Sequence, residues 1–195
     1  GIDPLRYYLT KEVSLGNDGN ISMENLKNSI NNDLANNYGN LCQRVFSFIE
    51  KNCNNKIPKV SKIDEKENKL NDNLSLKIPE LIEDMNNQNL NNYIKKVINF
   101  SFDANKYFND SKPWEVKKKD INKMNQIILS IVTQIKNISI LLSPIIPKST
   151  DKILDILNIE KKERFIDSIL KPNIFNHDKE LNEIQILFKK IENDN

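Results

Sequence analysis

Asn36, Asn40 and Arg44 recur at steps of four within NNDLANNYGNLCQR, residues 31–44. In an α-helix that spacing stacks side chains along one line. Two amides and a guanidinium so placed can bond the base edges of unpaired RNA, and the guanidinium adds a plane on which a base can stack. Asparagine competes with the backbone for hydrogen bonds, so helix propensity alone does not select it here. The chain is rich in Asn throughout, and a merely solvated face would look similar. A second group joins Lys112, Pro113 and Trp114 to Lys117, Lys118 and Lys119. Here the single tryptophan follows a proline that stiffens the backbone. An exposed indole is a stacking platform that gains about 1–3 kcal/mol per base, and the four lysines are candidate phosphate contacts whose pull salt weakens. The alternative is an indole that plugs the end of a bundle. Read together, the two groups match the chemistry of single-stranded RNA recognition.

Other chemistry is poorly provided for. The one histidine, His177, has no nucleophile set beside it and reads as an ordinary surface residue. Gly16 and Gly19 belong to a turn, outside any phosphate-binding or dinucleotide fingerprint. Glu83 and Asp84 read as solvated carboxylates. Cys42 and Cys53 fall about three helical turns apart, too far to bridge, and neither stands at zinc spacing. No catalytic residue, metal ligand or cofactor site is expected within this stretch.

The elements that must position the two groups are helical. The chain has 195 residues, 29% of them charged, with a net charge of only +2, so RNA binding would need a local patch. Four glycines in all, with Ile, Leu and Lys filling periodic windows, indicate a mainly α fold. Asp3 and Pro4 start a short helix to about Leu9, and residues 12–21 predict a short extended piece and a turn. Ser22 caps a long helix whose buried stripe is Leu26, Ile30, Leu34, Tyr38, Leu41, Val45 and Phe48. On ideal helix geometry, Asn36, Asn40 and Arg44 line the rim of that stripe. A weak helix over 59–79 is bounded by Pro79. Further helices are expected over Glu80–Phe108, over Ile121–Leu142, from a Thr150 cap, and from Asp178 to Ile191. No segment reads as apolar for long enough to span a bilayer, and no signal peptide is evident, which suggests a soluble, cytoplasmic protein. An antiparallel helical bundle of four or five helices is the economical arrangement.

At these residues the chain resembles the C-terminal, anticodon-binding part of a bacterial-type methionyl-tRNA synthetase, a class I aminoacyl-tRNA synthetase. GIDPLRYYL is similar to the helix that follows the family's second catalytic signature. The family's Asn-Leu-x-x-Arg pattern matches Asn40, Leu41 and Arg44, with Asn36 one turn earlier, and its Pro-Trp matches Pro113 and Trp114. Residues 141–158 also resemble the bundle, and ILFKKIE resembles its closing pattern, with Lys189 where that pattern has proline. The resemblance implies that Trp114 stacks on the cytosine of a CAU anticodon and that Asn36, Asn40 and Arg44 face the anticodon loop of tRNA(Met). It implies a parent enzyme that attaches methionine to tRNA with ATP and Mg, through a catalytic half whose signature motifs are absent from these residues. On this view residues 1–20 end the connective segment from that half, and residues 21–195 form the anticodon-binding bundle. The alternatives are the bundle of another class I synthetase, or a helical protein-interaction domain that binds no RNA.

Overall fold

In the computed structural model, which describes residues 1–12, 21–171, 174–184 and 187–192, helix α8 (Ile121–Leu142) forms the axis. Its Ile128, Ile131, Ile135, Ile138 and Leu142 are buried. By length and composition α8 could cross a membrane, contrary to the sequence expectation, but it lies almost wholly inside the bundle. A core helix sheathed by others is apolar nearly all round. Around it stand α1 (Ile2–Glu12), α2 (Met23–Ser29), α3 (Asn40–Asn52), α4 (Glu65–Leu76), α5 (Ile78–Asn86), α6 (Leu90–Ser111), the single turn α7 (Pro113–Val116) and α9 (Pro147–Ile156). The most extensive packing is between α6 and α8. Helix α1 is tied in as well. The Arg6 guanidinium donates to the carbonyls of Pro144 and Ile145, Asp3 accepts from the Ser149 N–H at 2.7 Å, and Tyr7 donates to Asp33 at 2.8 Å.

The Ser22 cap forms as expected, its hydroxyl accepting from the Asn25 N–H at 3.0 Å. The long helix, however, is not one regular α-helix. Between α2 and α3 it widens into a π-helical stretch, Ile30–Gly39, and the Asn40 N–H reaches back to the carbonyl of Ala35. Within it three consecutive residues, Asn37, Tyr38 and Gly39, are buried. Tyr38 shares a 2.6 Å hydrogen bond with Ser139 of α8, and Asn37 donates to Ser101 of α6 at 2.6 Å. These side-chain anchors account for a helix form that is otherwise rare. Of the three residues predicted to line the rim, Asn36 lies in this stretch and is exposed, while Asn40 and Arg44, on α3, are half-buried.

Other boundaries also shift. The helix expected over Glu80–Phe108 is two, α5 and α6, parted by a tight turn in which Gln88 has φ 58°. Asp84 holds that turn. It is buried, not solvated, and accepts from Asn89, Asn92 and Lys96 at 3.3, 3.0 and 2.6 Å. Pro147, not a Thr150 cap, opens α9, and the Thr150 hydroxyl donates to the Ile146 carbonyl within the helix. No helix forms among the described residues between Asp178 and Ile191. That segment runs as a strap. Leu181 N–H donates to the Asn55 carbonyl at 2.8 Å, and Lys56 and Glu180 form an antiparallel bridge. His177 sits half-buried against the Ile57 carbonyl at 3.1 Å, as part of the strap rather than the open surface. Farther on, the Asn31 amide pairs with both backbone groups of Ile191, and the Phe188 ring lies on Tyr38. The extended piece expected over 12–21 lies mostly outside the described residues.

Two predictions follow from this packing. A methyl group on Gly39 would stand 2.8 Å from the Leu34 carbonyl and 3.0 Å from Phe188, so Gly39→Ala is expected to cost about 1–3 kcal/mol in urea denaturation. Lys136 is buried in α8, where its ammonium donates to the Ser168 carbonyl at 3.2 Å; burial holds its pKa down at about 8, below the ordinary 10.5. The unfolded chain keeps that proton to higher pH, so the ammonium opposes folding below pH 8, and the opposition fades as pH rises from 8 towards 10.5. Lys136→Met should therefore raise stability at pH 7 and raise it less at pH 10.

Candidate nucleic-acid interface

The last turns of α6, the turn α7 and the start of α3 meet at one corner. Helix α6 ends because Lys112 turns into the left-handed region, with φ 43° and ψ 60°. Pro113 then fits the first position of α7, where its missing N–H is no loss. The chain folds back sharply, Pro113 is buried, and Trp114 stands out with 42% of its surface exposed. The indole packs on Phe108 in a T-shaped contact, ring centres 5.8 Å apart and nearly perpendicular. Arg44 lies over the same Phe108 ring, its Cζ 4.9 Å from the centroid. Phe48, one turn beyond Arg44 on α3, meets Phe108 edge-on at 6.2 Å. The two candidate groups, far apart in sequence, thus share a ring.

Among the described residues Arg44 is held by hydrogen bonds and pairs with no carboxylate. Its Nη2 donates to Asn109 Oδ1 at 2.7 Å and its Nη1 to Asn105 Oδ1 at 3.4 Å. Both acceptors are neutral amides, so the guanidinium keeps its charge for a ligand. The amides of Asn36 and Asn40 find no partner among the described residues. Asn40 stands one α-turn before Arg44 and so beside it on the surface of α3. The lysines divide. Lys112 pairs loosely with Glu115 at 3.5 Å, Lys117 donates to Asn52 at 3.1 Å, and Lys118 and Lys119 remain exposed. A corner with a half-exposed indole, a guanidinium bonded to neutral amides, the Asn40 amide and nearby ammonium groups can stack a base, bond its edge and attract phosphate.

Comparison with known proteins agrees with the fold and places the chain. The family model described as the anticodon binding domain of methionyl tRNA ligase matches residues 57–195, and that of class I tRNA synthetases (M) matches residues 1–46. The chain belongs to the methionyl-tRNA ligase family. It is 34% identical to the methionine–tRNA ligase of Rickettsia felis, over 100% of this chain and 38% of that protein. It is likewise 34% identical to the Ureaplasma parvum enzyme, over 98% of this chain and 37% of the relative. The chain therefore spans well under half the length of these relatives. The apo crystal structure of Mycobacterium tuberculosis methionyl-tRNA synthetase superposes with a TM-score of 0.92 at 25% identity, covering all of this chain and 40% of that one. Its methionyl-adenylate complex superposes at 0.89 and 26% identity, covering 96% and 37%. In this methionyl-tRNA ligase bundle the candidate site straddles the two matched regions, with Arg44 in residues 1–46 and Trp114 in residues 57–195.

Among the described residues, no three His, Cys, Asp or Glu side chains gather to hold a metal. Sequence reasoning missed Asn37, Asn105, Asn109 and the bridging role of Phe108. Asn105 and Asn109 do repeat the step of four on α6, and that pattern was available as a signal.

Proposed function

We propose that this corner of the anticodon-binding domain reads the CAU anticodon loop of tRNA(Met). Trp114 stacks on the cytosine, Asn36 and Asn40 bond base edges, and Arg44 supplies donors and a second stacking plane, while Pro113 sets the indole's exit from the bundle. The observation that carries the reading is the shared Phe108 ring, which fixes an exposed indole and a charged guanidinium at one place. Lys118 and Lys119, and more weakly Lys112 and Lys117, draw in the loop phosphates. The parent chain attaches methionine to tRNA with ATP and Mg through a catalytic half that residues 1–20 join to the bundle, and it works in the cytoplasm. The unpartnered amides of Asn36 and Asn40 and the open indole weigh against a scaffold domain that binds only protein.

The test is titration of labelled CAU stem-loops, and of loops with each single base changed, at two salt concentrations. Trp114→Ala and Arg44→Ala should each weaken CAU binding by about 1–3 kcal/mol, with circular dichroism unchanged. Base-changed loops should bind less well than CAU at both salts. Unaltered titration curves for both variants overturn the reading, and equal binding of every loop reduces it to charge attraction.

A further inference from the structure

We propose that Asn37, a buried residue outside the expected Asn and Arg set, positions Arg44 through Asn105. The proposal rests on the reading of Arg44 as a base-contacting group. Its basis is a hydrogen-bond chain with a fixed direction. Ser101 donates its hydroxyl to the Ile98 carbonyl at 2.6 Å, so its oxygen is left to accept from Asn37 Nδ2, also at 2.6 Å. That contact sets which way the Asn37 amide faces. Asn37 Oδ1 then accepts from Asn105 Nδ2 at 2.8 Å, and the Asn37 backbone carbonyl takes the same NH2 group at 3.1 Å. A third acceptor, the Ser101 carbonyl, lies 3.2 Å from that nitrogen.

With the Asn105 NH2 group committed to three oxygens, its Oδ1 is the end turned to Arg44 Nη1. The orientation matters because an amide has one accepting end and one donating end. If Asn105 flipped, it would present N–H groups to a guanidinium that can only donate. The second acceptor, Asn109, is exposed, and its oxygen bonds Arg44 alone among the described residues. Asn105 is the acceptor whose facing is dictated from inside the protein, even though its bond to Arg44, at 3.4 Å, is the longer one. Asn37 lies in the π-helical stretch, buried beside Tyr38, and its hydrogen-bond chain runs from there to Arg44 on α3.

Two readouts in the 195-residue chain test this. The first is side-chain 15N relaxation of Arg44 Nε without RNA. Asn37→Ala and Asn105→Ala should each increase its motion, whereas Asn37→Asp, which keeps an acceptor towards Asn105, should restore the native order. The second is a double-mutant cycle in CAU stem-loop binding. Asn37→Ala should weaken binding roughly threefold to tenfold, the range of one hydrogen bond, and should have almost no effect when Arg44 is already Ala. Unchanged Arg44 motion in both alanine variants overturns the inference, as does an equal loss of binding with and without Arg44. Should Asn37→Ala fail to fold, Asn105→Ala carries both readouts alone. Should the 195-residue chain bind no stem-loop, the proposed function fails, and the relaxation measurement still decides the role of Asn37.

Discussion

The molecule depends on how its long N-terminal helix is pinned to two neighbours at once. Asn37 is bonded to Ser101 of α6, and the next residue, Tyr38, to Ser139 of α8. Both residues lie in the π-helical stretch and both are buried. The two bonds satisfy polar groups that would otherwise be buried without partners, at a cost of about 1–3 kcal/mol each. Everything downstream on the rod, Arg44 included, inherits its direction from these two contacts.

At the corner, the aromatic side chains join packing to recognition. Phe108 is buried and belongs to the core cluster, yet one neighbour on it is a charged Arg44 and another is a half-open indole. A cation over a ring and two edge-to-face contacts each contribute on the order of 1 kcal/mol. Their larger effect is to limit the freedom of groups that would otherwise lose it on meeting a ligand. Rigid partners lose less entropy on binding.

Much of this was legible in the sequence, for reasons that can be stated residue by residue. The buried stripe from Ile30 to Phe48, the Ser22 cap and helix α8 all follow from local spacing. The meeting of Arg44 and Trp114 was suggested by chemical type and by family resemblance, since no local rule joins residues so far apart. The π-helical stretch was not legible, because its causes, Ser101, Ser139 and Phe188, lie on other elements. Spacing rules that assume 3.6 residues per turn therefore overlooked Asn37. Asp84 looked solvated because its partners Asn89, Asn92 and Lys96 are assembled only by a left-handed turn. The segment from Asp178 to Ile191 carries scattered apolar residues that suit a helix, but its backbone is taken up by pairing with Asn31 and Asn55.

The Phe188 ring fills the notch above Gly39 that a larger residue would occupy, and the Asn31 amide clasps the chain three residues farther on. The strap therefore works as a wedge seated against the widened coil from outside. If it were lost, the coil could tighten towards ordinary pitch, and everything on its N-terminal side would swivel relative to α3. The relative rotation of the first and second halves of the rod thus depends on residues far along the chain from it.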